Sequence, residues 1–154
     1  MLYDVNGLPD IDTVLSNERK LGGVIEAEKI KLRSGEEFSN PVIISISGTG
    51  TIHCTLGFYT TEGKRYIVNI DDISIIVQPT HKYIKDMKNS SYKKQKIEEK
   101  LKYLKRLCEV NQGCHTKTFK AELAAIVEDI GEEAANSLEI SKVECCNGKV
   151  IRIA

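Results

Sequence analysis

Between Val42 and Val77 the chain alternates apolar and polar residues over four short runs, and that period of two constrains the fold more than any other feature. Val42, Ile44 and Ile46 alternate with Ser45 and Ser47; Ile52, Cys54, Leu56 and Phe58 alternate with Thr51, His53, Thr55 and Gly57. Tyr66, Val68 and Ile70 form the third run, and Ile73, Ile75 and Val77 the fourth. Gly48-Thr49-Gly50, Thr61-Glu62-Gly63 and Asp71-Asp72 separate them. Successive strand residues point to opposite faces, so each run is a half-buried strand, and turns this short join antiparallel neighbours. The expectation is a four- or five-stranded antiparallel meander. Its apolar face must be covered, either by curling into a small barrel or by packing on helices.

Upstream, Asp10-Ile-Asp-Thr opens a short helical pattern with Asp10 or Asp12 as N-cap, and Gly22-Gly23 ends it. From Val24 to Arg33 the pattern is a strand whose parity changes: Ile25 and Ala27 are odd, Ile30 and Leu32 even. A parity change inside one strand requires a bulge, here near Glu28-Lys29.

Pro79 marks a change of period. A helix capped by Ser90 or Ser91 runs to about Val110, with Ile97, Leu101, Leu104 and Cys108 on one stripe. A second helix, capped by Thr118, carries Phe119, Leu123, Ile126 and Ile130 and stops at Gly131. A third covers Glu132 to Leu138, and Asn147-Gly148 joins two extended runs in a hairpin. The fold class is α+β: a β-rich subdomain over 1–79 and a helical subdomain with a terminal hairpin over 80–154, the two sharing one core or standing side by side. Three helices and a hairpin resemble the winged-helix class in chain order. The third helix opens with Glu132-Glu133, which would face phosphates, so this order fits a protein partner better than DNA.

The chain carries 22 basic and 22 acidic residues and no net charge, so no global field draws it to nucleic acid or membrane. The charges are segregated all the same. Met1–Thr80 holds 7 basic and 11 acidic residues, and His81–Leu107 holds 10 basic and 3 acidic. Such regions ordinarily satisfy one another or water, within a monomer or across an oligomer. The basic stripe is also the candidate nucleic-acid surface. Lys93, Lys94, Lys96, Lys100, Lys102 and Arg106 would track phosphates, with Tyr83, Tyr92 and Tyr103 available to stack on bases.

Cysteine usage points to a reduced, cytoplasmic setting: five cysteines is an odd number, and the first ten residues lack the apolar core of a secretory signal. No apolar run approaches a membrane span. Cys108, Cys114, His115 and the Cys145-Cys146 pair lack the C-x2-4-C knuckle of a structural zinc site, and neither metal nor cofactor is expected. His53 and Cys54 are adjacent on a strand and face opposite ways, so they make no catalytic dyad. His53, Thr55 and Asn69 fall on the polar side of the sheet and are the candidate ligand-binding residues of a small-molecule binder or enzyme.

With no catalytic constellation in view, the expected function is that of a non-enzymatic interaction or regulatory protein. It would act through protein–protein contacts or self-association, with nucleic-acid binding as the alternative.

Overall fold

The parity change at Glu28-Lys29 is the point where the chain leaves one sheet for another. In the computed structural model, which describes residues 2–113 and 116–136, β1 (Val24–Glu26) and β2 (Lys29–Leu32) are separate strands. β3 (Glu37–Ser39), β4 (Val42–Thr49), β5 (Ile52–Tyr59), β6 (Arg65–Asn69), β7 (Ile73–Val77) and β8 (Thr80–Lys82) follow. Two antiparallel sheets result, ordered β6-β5-β4-β1-β8 and β3-β2-β7. The fold is mixed α+β, and neither sheet closes into a barrel. A bulge within one strand and a change of sheet leave the same local signature, since either one reverses which residues face inward.

β4, β5 and β6 form the expected meander, but β7 does not extend it. After the 3-10 turn Ile70–Asp72 the chain crosses to the smaller sheet, where Ile76 pairs with Ile30 and Val77 with Lys29. β4 differs from strict alternation as well. Its register with β5 shifts between Ile43 and Ser45, so Ile43 enters the core at 1% exposure and Ile44 is only half-buried.

The core lies between the two sheets, with α1 (Leu8–Ser16) against it. Ile11 and Val14 from α1 meet Ile25, Ile30, Leu32, Ile43, Leu56 and Phe58 from the strands. Phe38 of the smaller sheet packs on Phe58 and Tyr66 of the larger one, with ring centroids 5.0 and 4.9 Å apart. Aromatic pairs at these distances hold about 0.5–1.5 kcal/mol each beyond the area they bury. α1 starts three residues earlier than Asp10-based capping predicts. Pro9 occupies its first turn, where a missing N–H leaves nothing unsatisfied, and Asp10 instead accepts from the Asn6 amide at 2.8 Å. Gly22 and Gly23 both have positive φ after α2 (Glu18–Leu21).

The chain divides into two compact units, one ending at Lys93 and the other starting at Lys94. β8, past Pro79, pairs with β1 in the first unit. α3 (Ser90–Val110) begins in the first unit and continues into the second, which also holds α4 (Lys117–Ile130) and α5 (Glu132–Ala135). The cap of α4 is Thr116, whose hydroxyl accepts from Phe119 N, two residues ahead of the expected Thr118. Phe119, Leu123, Ile126 and Ile130 are buried, as their spacing predicts. Tyr103 of α3 donates to Glu122 of α4. No helix among the described residues is long and apolar enough to cross a membrane. The hairpin at Asn147-Gly148, and with it the winged-helix order, lies outside the described residues.

Candidate functional site

Three of the crossings between the sheets occur at one place. β1 passes to β2 through Ala27-Glu28, β3 to β4 through Asn40-Pro41, and β7 to β8 through Gln78-Pro79. Asn40 and Gln78 have φ of 50° and 48°, the two non-glycine positive values among the described residues. Each precedes a proline, and Asn is among the residues that tolerate this region best. Backbone hydrogen bonds fix the crossings to one another: Ala27 N to Pro41 O at 3.0 Å, Glu28 N to Val77 O at 2.8 Å, and Asn40 N to Glu28 O at 2.9 Å.

The crossings enclose a polar cavity of about 100 Å³ lined by Glu26, Glu28, Asn40, Gln78, Thr80, Lys82 and Lys88, among others. Glu26 is its dominant group. It sits on β1 between Ile25 and Ala27 and is 1% exposed. Lys82, diagonal to it on β8, donates from Nζ to Oε1 at 3.0 Å. The Lys88 amide donates to both carboxylate oxygens, at 3.1 and 3.0 Å, and the Asn89 amide to Oε2 at 2.8 Å. A carboxylate out of water loses several kcal/mol of hydration, and an ammonium with two aligned amides offsets that loss.

Asn89 continues the network. Its side chain is fully buried and caps α3: Oδ1 accepts from Tyr92 N at 3.1 Å. Nδ2 donates to Asn40 O at 3.0 Å and to Tyr59 O at 3.2 Å. The rings of Tyr59 and Tyr92 then pack 5.0 Å apart. Asn89, rather than Ser90 or Ser91, is therefore the N-cap residue, and its amide fastens the start of α3 to the strands. The cavity itself is small, since small-molecule sites usually span roughly 300–1,000 Å³. The side-chain hydrogen bonds of Glu26, Thr80 and Lys82 join β1 to β8 and to the residues that lead into α3.

The sequence-derived ligand residues lie away from this cavity. Thr55 and Asn69 are directly opposite in register on β5 and β6, and His53 stands two residues before Thr55, paired with Gly48. The Thr55 hydroxyl is engaged by that of Ser47. Ile52 and Cys54 share strand parity with Leu56 but are exposed, because the β4–β5 hairpin reaches beyond the core.

The basic residues of α3 divide into two groups. Lys94, Lys102 and Arg106 are exposed. Lys93 instead donates to Lys85 O at 2.8 Å, Lys96 pairs with Glu99 at 3.4 Å, and Lys100 is half-buried. Cys108 is buried on the α3 stripe; Cys114, His115, Cys145 and Cys146 lie outside the described residues. Among the described residues no three His, Cys, Asp or Glu side chains converge as metal ligands do.

Large apolar side chains also face solvent, among them Val110 at the end of α3, Ile52 in the β4–β5 hairpin, and two on sheet borders. β6 and β7 each end a sheet, and each carries an isoleucine at its midpoint: Ile67 is 64% exposed and Ile75 51%. Sequence alternation marks both strands, but border position depends on pairing and is invisible in the sequence. Comparison with protein-family models, curated proteins and solved structures finds no match.

Proposed function

We propose that this chain is a non-enzymatic interaction or regulatory protein that works by binding other protein chains at its sheet borders. One observation carries this reading: β6 and β7 both present an exposed isoleucine at the centre of a border strand. A border strand offers unpaired backbone groups, and natural proteins usually protect it with charge, proline or a cover. An isoleucine at the midpoint instead offers apolar contact for whatever completes the ladder. The buried polar cluster around Glu26 and Asn89 joins strands to α3, while β6 and β7 each keep one side paired to no described strand.

The helical half fits the same reading. Glu132 and Glu133 are exposed at the start of α5 and would repel phosphates, so a winged-helix order here would present an acidic helix to a protein.

The test is recovery of the tagged full-length chain from the cell that makes it, beside Ile67→Lys and Ile75→Lys. At least one substitution should remove proteins that the unaltered chain retains. An identical retained set for all three would overturn the reading. A set dominated by nucleic acid, lost when Lys94, Lys102 and Arg106 become glutamate, would transfer the function to α3.

A further inference from the structure

β6 is bonded to β5 on one side and to no described strand on the other. Its register with β5 is unbroken from Thr55–Asn69 to Tyr59–Arg65. One step further, Thr60 N donates to Lys64 O at 2.8 Å. Hydrogen-bonded and non-hydrogen-bonded pairs alternate along an antiparallel ladder. Arg65, Ile67 and Asn69 therefore occupy the non-hydrogen-bonded pairs with β5. Their N–H and C=O groups point to the free border, and all three residues are exposed.

The charges about this strand are polarised. Arg65 opens it, just after Lys64, which pairs with Glu62 at 3.8 Å; Asp71 and Asp72 stand just beyond its end, and all five are exposed. A strand of this kind complements itself when reversed. With a two-fold axis at Ile67, Ile67 meets its own counterpart and Arg65 faces Asn69 of the second copy, with that copy's Asp71 two residues beyond. The other borders lack this property. β7 has Asp71-Asp72 before it but uncharged Gln78-Pro79 after it, and β3 and β8 are three residues each.

We propose that β6 pairs antiparallel with β6 of a second copy of this chain, extending the larger sheet across both. Such a contact is isologous and closes on itself, so it stops at a dimer. It removes an exposed apolar border that would otherwise recruit strands indiscriminately. The proposal deepens the interaction reading above, because it names the occupant of one of its two borders.

Sedimentation velocity of the full chain, from low to high micromolar concentration at low salt, tests it. The unaltered chain should form a concentration-dependent dimer. Ile67→Lys should raise the dissociation constant roughly tenfold or more, because two lysines then meet at the axis. Ile67 is exposed, so at concentrations too low for the dimer to form the melting curve of this variant should match that of the unaltered chain. Arg65→Glu should weaken the dimer, and adding Asp71→Lys to the same chain should restore it. A chain that stays monomeric throughout overturns the proposal, as does a dimer indifferent to Ile67→Lys. A monomer that nevertheless loses a retained protein on Ile67→Lys leaves the interaction reading standing and removes only the second copy as occupant.

Discussion

Glu26 Oε2 accepts a hydrogen bond from the Asn89 amide at 2.8 Å, joining the first strand of the protein to the residue that caps its longest helix. The two residues lie 63 positions apart in the chain, and both side chains are buried. Substitutions at either end of this contact should therefore be costly.

Glu26→Ala leaves the Lys82 ammonium and two inward-facing amides without their acceptor. The expected loss of stability is about 3–5 kcal/mol, read by chemical denaturation. Lys82→Met should cost clearly less, because Lys82 is 21% exposed and Glu26 keeps the amides of Lys88 and Asn89. Equal losses for the two variants would contradict this division of roles.

Asn89 should not behave like an ordinary N-cap. At most caps Asp serves as well as Asn. Here Asn89→Asp keeps the acceptor for Tyr92 N but points a carboxylate oxygen at the carbonyls of Asn40 and Tyr59. Asn89→Asp should therefore destabilise by about 2 kcal/mol or more, with Asn89→Ala of similar size. A neutral Asn89→Asp in a thermal melt would show that the two donor bonds contribute nothing.

Gly23 has φ of 72°, and a Cβ there would lie 2.6 Å from Lys82 O and 2.8 Å from His81 Nε2. Gly35 has φ of 96° with nothing within 4 Å. Gly35→Ala should cost about 1–2 kcal/mol from backbone strain alone. Gly23→Ala should cost more by at least ~1 kcal/mol, because backbone and ring must also move apart. Paired urea titrations check the order.

His81 is buried with both ring nitrogens engaged. The Tyr3 amide can only donate, so Nδ1 accepts from it at 3.0 Å and Nε2 carries the hydrogen directed at Gly22 O, 2.9 Å away. Nitrogen chemical shifts should report the Nε2–H tautomer. His81→Phe should speed amide exchange at Tyr3 while leaving the β4–β5 amides unchanged; unaltered Tyr3 exchange would contradict the tether.

Much of this architecture was legible where it is local. The strands between Val42 and Val77 lie where period-two alternation puts them, but the alternation fails at Ile43, which is buried, and at Ile75, which is exposed while Ile76 packs on the core. The stripe Phe119, Leu123, Ile126 and Ile130 follows from helical spacing. Pairing was not legible, because nothing near Ile73 tells it to leave β6 for Ile30 and its neighbours. Glu26 was missed because a glutamate within a strand is ordinarily an outward residue. Two of its donors are backbone amides that no side-chain pattern reveals, and the third, Lys82, is 56 residues away. The available signals were the alignment of Glu26 with fully apolar neighbours on both sides and the two X-Pro pairs, Asn40-Pro41 and Gln78-Pro79, that bound the crossings. Of the sequence-derived site residues, the register brings Thr55 and Asn69 together, whereas the basic residues of α3 separate into exposed and engaged groups.

The central claim is that sheet borders are the binding surface, and amide hydrogen exchange on the chain bound to its retained protein tests it most directly. The account predicts slowed exchange at Arg65, Ile67 and Asn69, or along Ile73–Val77, with the β2 amides of Lys29–Leu32 unchanged. Protection confined to Lys94–Arg106 of α3, with both borders exchanging as they do in the unbound chain, would contradict it.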